Sequence, residues 1–350
     1  MSISKIRFCE EYLKQPEEPT NPMKTTCSLL LLALLSCSSA DAAETKPTKP
    51  RSRQFRLDIG ATITGLPAGS TVRVWLPIPP STRDQSVKAL VPSLPARGQR
   101  NKESKYGNQI LYFQKKVDTA GSLRFNTPYQ IRRHEVRALK VSKGQQNELS
   151  PAEKKLYLSP NQKVPLAGKP LALLAKVDLA KDQPLDLARQ LYNRVDEHVR
   201  YDKSQPGYGN GDVLWVCNSK FGNCTDFHSL FISFARSQVL PARFEIGFPL
   251  PEKRGAGSIG GYHCWALFHI DSYGWIPVDI SEADKHPEMK EYYFGNLTEN
   301  RVTFTKGRDI DLVPQQTSPS LNYFVYPHIE VDGKQWPREK IQLKFTYQDQ

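Results

Sequence analysis

The chain has 350 residues, a length that allows about two domains of ordinary size. Hydrophobic residues make up 39% and charged residues 24% of the chain, which excludes a globally disordered protein because packed cores can form. Six irregularly spaced cysteines without CxxC pairs exclude a disulfide framework and paired zinc knuckles. The net charge of +12 favours acidic partners but does not specify a fold.

The segment up to residue 43 has the composition of an export signal. From Met23, one lysine precedes the apolar run Leu29–Leu35, and small residues follow this run. This order is typical of a secretory signal peptide, and the apolar run is too short to span a bilayer. We therefore predict a misassigned start at residues 1–22, a signal peptide at 23–43, export to the periplasm or cell envelope, and no transmembrane helix.

Cys37 gives a second interpretation of the same segment. The sequence Leu34-Leu35-Ser36-Cys37 resembles the lipobox of bacterial lipoproteins, in which the cysteine becomes the lipidated N-terminus. Leucine directly before Ser36 is an uncommon choice in that motif. We therefore expect plain cleavage, with a lipid anchor at Cys37 as the alternative.

Residues 44–53 are rich in proline, lysine and threonine, which is typical of a tether. Residues 54–142 then show short β-type runs separated by glycine and proline, and we interpret them as an all-β, sandwich-like domain. The predicted strands are Gln54–Ile63, Thr71–Leu76, Gln109–Val117 and Leu123–Leu139, the last one broken at Pro128. The basic residues of this region are scattered rather than interleaved with aromatic residues, which argues against a nucleic-acid platform.

Residues 143–181 form a polar, proline-marked linker with one short helix near residues 171–177. After the linker the apolar spacing becomes helical. The first helix has Asp182 as its predicted N-cap and Pro184 in its first turn. A second helix is predicted to begin at Cys224, because apolar residues follow that position at helical spacing.

A β-hairpin is predicted next, from the strands Tyr262–Ile270 and Trp275–Ile280 and the loop Ser272–Gly274. Side chains alternate along a strand, and a loop with an odd number of residues keeps odd-numbered residues of both strands on one face. His263 and Asp279 are therefore predicted to point the same way. Whether they are directly opposed stays open, because that register needs a longer loop than the glycine suggests.

Cys224, His263 and Asp279 can together perform acyl transfer. A cysteine is a strong nucleophile only as thiolate, and the first turn of a helix favours that anion at Cys224. His263 can act as the base, and Asp279 can hold the imidazole in the right tautomer. The backbone N–H of Cys224 can stabilise the developing oxyanion, and Tyr201 is a candidate second donor.

Three blocks of this region resemble the transglutaminase-like core, a papain-related fold: GNCTDFHSLF, YHCWALF and GWIPVDISEA. The resemblance covers about residues 184–315 and places the catalytic cysteine, histidine and aspartate at Cys224, His263 and Asp279, with spacings of 39 and 16 residues. It implies an α+β fold over residues 182–350, in which the helix carrying the cysteine packs on an antiparallel sheet, with the C-terminal strands included. It implies no metal and no cofactor.

Thr225 distinguishes this chain from the animal cross-linking members of the family, which have a tryptophan directly after the cysteine. This difference favours hydrolysis. We therefore predict an exported thiol peptidase or amidase that acts on peptide or protein substrates, including cell-envelope material, and that has no nucleic-acid partner. A cross-linking transglutaminase and a non-catalytic peptide-binding module are the alternatives.

Other roles for the same residues stay open from the sequence. His228 lies one helical turn after Cys224 and is the alternative base, although its apolar neighbours place it near the packed face. A zinc site would combine these two residues with Cys217, His263 and Cys264, but His263 and Cys264 are neighbours on a strand and point to opposite faces. Cys217 and Cys264 are either buried thiols or one disulfide.

Overall fold

A computed structural model describes residues 49–140 and 147–350 of the chain. The predicted signal peptide, the alternative lipid anchor at Cys37 and the first part of the tether lie outside these residues. Within the described part of the chain, no helix is both long enough and apolar enough to cross a membrane.

The strands of the described residues form two five-stranded sheets, one four-stranded sheet and two short pairs. In chain order the strands are β1 (Ser52–Leu66), β2 (Thr71–Ile78), β3 (Gln85–Ala89), β4 (Gln99–Lys102), β5 (Gln109–Lys116), β6 (Gly121–His134), β7 (Val136–Arg137), β8 (Arg200–Tyr201), β9 (Phe221–Gly222), β10 (Ala242–Pro249), β11 (Ala256–Ser258), β12 (His263–Ile270), β13 (Gly274–Val278), β14 (Asn296–Leu297), β15 (Arg301–Lys306), β16 (His328–Val331), β17 (Lys334–Gln335) and β18 (Ile341–Asp349).

The helices lie mainly in the middle of the chain. They are α1 (Pro151–Leu158), α2 (Lys169–Ala172), α3 (Pro184–His198), α4 (Val213–Ser219), α5 (Cys224–Ser237) and α6 (Ile280–Lys285), with single 3₁₀ turns at Ala138–Lys140, Pro287–Met289 and Arg338–Lys340. The predicted start of a helix at Cys224 is confirmed by α5. The short helix expected in the linker corresponds to α2, which begins two residues earlier.

The two five-stranded sheets pack face to face as a β-sandwich. One sheet has the order β11-β18-β1-β6-β3 and the other β17-β16-β2-β5-β4. In β1 and β2, buried and less buried residues largely alternate, as expected where only one face of a strand meets the core. Phe113 of β5 packs edge-on against Phe125 of β6, with ring centroids 5.7 Å apart, so side chains from both sheets interlock.

The C-terminal strands pair differently from the sequence expectation, which places them with the helix that carries the cysteine. β18 pairs antiparallel with β1, from Phe55↔Asp349 to Ile63↔Ile341, and β16 pairs with β2. Both strands therefore belong to the sandwich, because the buried face of β18 completes its core. The division of the chain into domains at 54–142 and 182–350 stays a prediction.

The predicted break at Pro128 is wrong, because β6 continues through this residue. Pro128 stands across from Asp58 of β1, and its carbonyl accepts a hydrogen bond from the Leu90 N–H at 3.0 Å. The N and C=O of one residue in an antiparallel ladder face the same neighbour. The missing N–H therefore faces the side on which β3 has already ended at Ala89, and no ladder bond is lost.

The remaining large sheet supports α5. Its order is β13-β12-β10-β15, all antiparallel, and α5 packs on β12 and β10. Phe231 of α5 lies against Phe268 of β12, with ring centroids 6.2 Å apart. The predicted α+β class is confirmed, with an antiparallel sheet covered by the helix that begins at Cys224.

Two helix details differ from the predictions. The N-cap of α3 is Gln183 rather than Asp182, because Pro184 takes the first helical position and the cap is the residue directly before it. The linker contains a further helix, α1, whose Ser150 and Glu153 form a reciprocal capping box. This box is readable in the sequence.

Candidate active site

Cys224 is the first residue of α5, and its side chain is buried. Asn223 caps the helix: its Oδ1 accepts a hydrogen bond from the Thr225 N–H at 2.9 Å, while the Asp226 carboxylate accepts one from the Asn223 N–H at 2.9 Å. Among the described residues, none accepts a hydrogen bond from the N–H of Cys224. The candidate nucleophile therefore has a free backbone donor beside its own thiol.

The hairpin of β12 and β13 brings His263 and Asp279 together. Its last paired residues are Ala266 and Val278, so the next residue, Asp279, stands across from Trp265. His263 and Asp279 are thus diagonal neighbours on one face rather than directly opposed residues. Their side chains meet, with His263 Nε2 at 2.7 Å from Asp279 Oδ2.

The Cys224 thiol interacts with the side chains of Cys264 and His263. Nε2 of His263 is occupied by Asp279, which leaves Nδ1 of the ring for the interaction with the thiol. Burial opposes ionisation of the thiol, but these interactions and the charge of His263 outweigh it and hold the pKa of Cys224 well below its ordinary value. Burial also opposes the imidazolium, but the charge and hydrogen bond of Asp279 raise the pKa of His263 to about 10. The site therefore favours a thiolate–imidazolium pair.

Residues 172–280 match the model of the transglutaminase-like superfamily. This segment is a transglutaminase-like core. The match includes all three residues of the site, since Cys224, His263 and Asp279 lie inside it. An uncharacterised protein of Haemophilus influenzae is 33% identical over 182 residues, which make up 43% of this chain. The match spans about half of that curated relative, 49% of its length.

Two solved structures are similar to this chain at low sequence identity. A candidate cysteine protease from Cytophaga hutchinsonii aligns with a TM-score of 0.49 and 13% identity, over 85% of this chain and 100% of its own. The periplasmic domain of TgpA from Pseudomonas aeruginosa aligns with a TM-score of 0.35 and 13% identity, over 71% of this chain and 97% of its own.

Arg301 holds Asp279 in the transglutaminase-like site, and sequence reasoning missed it. Its Nη1 lies 2.7 Å from Asp279 Oδ2, and its guanidinium lies over the Trp265 ring, 5.1 Å from the centroid. Burial opposes ionisation of Asp279, but the charges of His263 and Arg301 hold its pKa well below the ordinary value. No local motif surrounds Arg301, since its position arises only from the pairing of β15 with β10.

His228 is fully buried and is tied to the start of α6. Its Nε2 accepts a hydrogen bond from the Ile280 N–H at 3.0 Å, and its Nδ1 lies 3.7 Å from Cys264 Sγ. Burial lowers the pKa of His228 to about 4. His228 is therefore a neutral side chain occupied by other partners, and His263 is the better candidate base.

The cysteines of the described residues are free thiols, so the alternative of a Cys217–Cys264 disulfide is not formed. Cys264 points toward the first turn of α5, with Sγ 3.7 Å from Thr225 Oγ1. Cys217 lies instead on α4 and is half-buried. Burial, followed by the interaction with Cys224, raises the pKa of Cys264 well above its ordinary value, so it stays a neutral thiol.

In the described ranges, one group of side chains is close enough to hold a metal ion. It consists of His263, Asp279 and Glu282, whose ligand atoms lie within 4.8 Å of one another. Only His263 is shared with the zinc set considered from the sequence. Asp279 and Glu282 already pair with Arg301 and Lys285, so a cation would have to displace both pairs.

Tyr201 lies near the nucleophile because β8 and β9 form a parallel pair. Tyr201 stands across from Gly222, two residues before Cys224, and its ring packs near Phe227, with centroids 6.4 Å apart. Burial and then the charge of Cys224 raise the pKa of Tyr201, which keeps its hydroxyl protonated. The role of Tyr201 as a second donor to an oxyanion stays a prediction.

Proposed function

We propose that this chain is an exported cysteine enzyme that hydrolyses amide bonds of peptides or proteins. Cys224 is the nucleophile, His263 the general base and acid, and Asp279 the orienting carboxylate. The position of His263 carries this proposal, since the ring bonds Asp279 at 2.7 Å through Nε2 and also interacts with the Cys224 thiol. The predicted signal peptide at 23–43 supports export and lies outside the described residues.

The reaction proceeds by acyl transfer to sulfur. The Cys224 thiolate attacks the amide carbonyl carbon, and the resulting oxyanion accepts hydrogen bonds from the Cys224 N–H and the Tyr201 hydroxyl. His263 then donates its proton to the leaving amine as the C–N bond breaks, which leaves a thioester. Neutral His263 next takes a proton from water, the hydroxide attacks the thioester, and the acid product leaves the thiolate behind.

Thr225 supports hydrolysis rather than cross-linking. It is fully buried, and its hydroxyl lies 2.9 Å from the Tyr262 hydroxyl, so the position after the nucleophile carries a small polar side chain. A cross-linking enzyme must keep water away from the thioester until an amine arrives. Thr225, which stands where the animal cross-linkers have a tryptophan, does not shield the thioester from water with an apolar side chain.

Selective alkylation tests the nucleophile and its base. Iodoacetamide should modify Cys224 faster than Cys217 or Cys264 in the native protein, because only its thiol has a pKa held well below the ordinary value. Substitution His263→Ala should remove this advantage. His269→Ala is the matched control, because His269 is a buried histidine on the same strand. Equal rates in both variants would favour a non-catalytic binding module.

The fate of the acyl group separates hydrolysis from transfer. Glutamine peptides are incubated with the protein with and without a primary amine, and ammonia and the peptide products are quantified. Hydrolysis gives the free acid in both reactions. Incorporation of the amine as the main product would replace the hydrolase proposal by a cross-linking transglutaminase.

A further inference from the structure

The loop at residues 207–211, called the glycine loop below, packs directly on the start of α5. Its three glycines all have positive φ. At Gly211, which has φ +55 and is buried, a Cβ would overlap the Ser229 hydroxyl and come within 2.9 Å of Arg308 Nη1. At Gly209, with φ +87, a Cβ would lie 3.1 Å from Asn223 Nδ2. Both positions require glycine, because the loop and the helix start are in close contact.

Asp226 binds the N–H groups of this loop from within α5. Its Oδ2 accepts a hydrogen bond from Gly209 N at 2.7 Å, and its Oδ1 accepts one from Gly211 N at 2.9 Å. The same carboxylate accepts a bond from Asn223 N at 2.9 Å and is fully shielded from solvent. One buried side chain therefore connects the glycine loop to the residue before the nucleophile.

Arg308 binds the carbonyl groups of the same loop from the other side. It donates to Asn210 O at 2.8 Å and to Gly211 O at 2.9 Å. It also donates to Ser229 Oγ of α5 at 2.6 Å and is buried. The Asp226 carboxylate thus binds N–H groups of the loop, and the Arg308 guanidinium binds its carbonyl groups. Asp226 belongs to α5, and Arg308 contacts α5 through Ser229.

The peptide bond between Asn223 and Cys224 carries the free N–H that the proposed reaction uses. We propose that Asp226 and Arg308 are positioning residues that fix the glycine loop and this peptide bond as one rigid unit, with the Cys224 N–H aimed at the oxyanion. This inference rests on the proposed function. A donor stabilises a transition state best when it is held in place before the reaction, because no reorganisation is then needed.

Asp226 and Arg308, which hold the glycine loop between them, form a clamp. Its positioning role is tested by comparing two reactions of the Cys224 thiol. p-Nitrophenyl acetate acylates Cys224: the S–C bond forms, the C–O bond breaks, p-nitrophenolate leaves, and an oxyanion develops in between. Iodoacetamide alkylates the same sulfur by displacement at a saturated carbon, with release of iodide and no oxyanion. The ratio of the two rates therefore reports the oxyanion donors and not the thiolate.

Asp226→Asn and Arg308→Lys should each lower the ratio of acylation to alkylation roughly tenfold or more. Alkylation itself should stay constant or rise in Asp226→Asn, because a negative charge that interacts with Cys224 is removed. Asp58→Asn and Arg53→Lys are the matched controls, since both residues lie on β1 and form ion pairs there. They should leave the ratio unchanged.

Rates are expressed per native Cys224 thiol, so partial unfolding of a variant does not change either rate or their ratio. An unchanged ratio in Asp226→Asn and Arg308→Lys would overturn the clamp while the proposed function stands. A native protein that is alkylated rapidly but releases no p-nitrophenolate would overturn the proposed function, and the clamp with it.

Discussion

His263 interacts with two negatively charged groups in a buried site, the Cys224 thiolate and the Asp279 carboxylate. Thiolate and imidazolium stabilise each other, so both stay charged over a wide range of pH. The pKa of Cys224, held well below its ordinary value, sets the acidic limit of this range, and the pKa of His263 of about 10 sets the alkaline limit. The proposed activity should be nearly constant between them.

Asp279→Asn should narrow the pH range of constant activity at both its acidic and its alkaline limit. Without the carboxylate charge the pKa of His263 falls from about 10, and the thiol loses part of its cationic partner, so its pKa rises. We expect kcat/KM to fall about a hundredfold and the alkaline limb to move to lower pH. The pH dependence of alkylation and turnover measures both. Asp271→Asn, which alters the other histidine–aspartate pair of the hairpin, is the control, and an equal shift there would contradict the assignment.

Arg301→Met should move the alkaline limb of the pH–activity profile to higher pH, opposite to the effect of Asp279→Asn. Arg301 neutralises part of the Asp279 charge, so its loss leaves a stronger anion beside His263 and raises the pKa of that imidazole further above about 10. Removing one partner of a buried pair should also cost about 3 kcal/mol or more in the free energy of unfolding, measured in urea. The exposed pair partner Arg254 provides the comparison, since Arg254→Met should cost less than about 1 kcal/mol.

Part of the site follows from the sequence because each side chain has its own local pattern. Cys224 starts an amphipathic helix, which the apolar spacing predicts. His263 and Asp279 are both odd-numbered residues of one hairpin, so the alternation of side chains places them on the same face. Arg301 and Cys264 acquire their roles only through contacts between strands and helices that no local pattern specifies.

At the level of elements, hydrogen bonding in three dimensions overrides several local signals. Pro128 reads as a break in the sequence, yet it is tolerated where the neighbouring strand ends. Helix α4 has only seven residues and is too short for a periodicity signal, although Asp212 caps it, with Oδ1 3.1 Å from Leu214 N. The hairpin itself is predicted correctly, but its loop is 271–273 rather than Ser272–Gly274, because Gly274 pairs with Ile270 as the first residue of β13.

Gly274→Ala should destabilise this hairpin. Gly274 has φ +77, a conformation that costs a residue with a Cβ about 1–2 kcal/mol. We expect a loss of that size in the free energy of unfolding, and a decrease of alkylation at Cys224 only near the unfolding transition. Gly121→Ala is the control, because Gly121 lies outside the left-handed region and has open space around its Cα. A loss of equal size at Gly121 would contradict the turn argument.

At the scale of the whole molecule, the sandwich and the four-stranded sheet beneath α5 share one hydrophobic core. Phe345 of β18 packs against Phe248 of β10, with ring centroids 5.0 Å apart, and Phe248 also contacts Phe304 of β15. The sequence does not reveal this coupling, because the contact joins strands that are far apart in the chain. The strand pairing of β1 with β18 has the same long-range character.

Phe345→Ala should therefore weaken both parts of the molecule together. The side chain is 5% exposed, and truncation of a buried phenylalanine costs about 3–5 kcal/mol. We expect one unfolding transition at lower urea concentration, detected equally by circular dichroism and by the loss of rapid alkylation at Cys224. Gln342→Ala, at an exposed position of the same strand, should have little effect. Two separate transitions would contradict the shared core.

The partnership of β1 and β18 also has a consequence for biosynthesis. β1 is synthesised long before β18, and the edge of β1 that faces β18 stays unpaired until residues 341–349 have been made. A chain that is still being synthesised therefore cannot complete the β-sandwich.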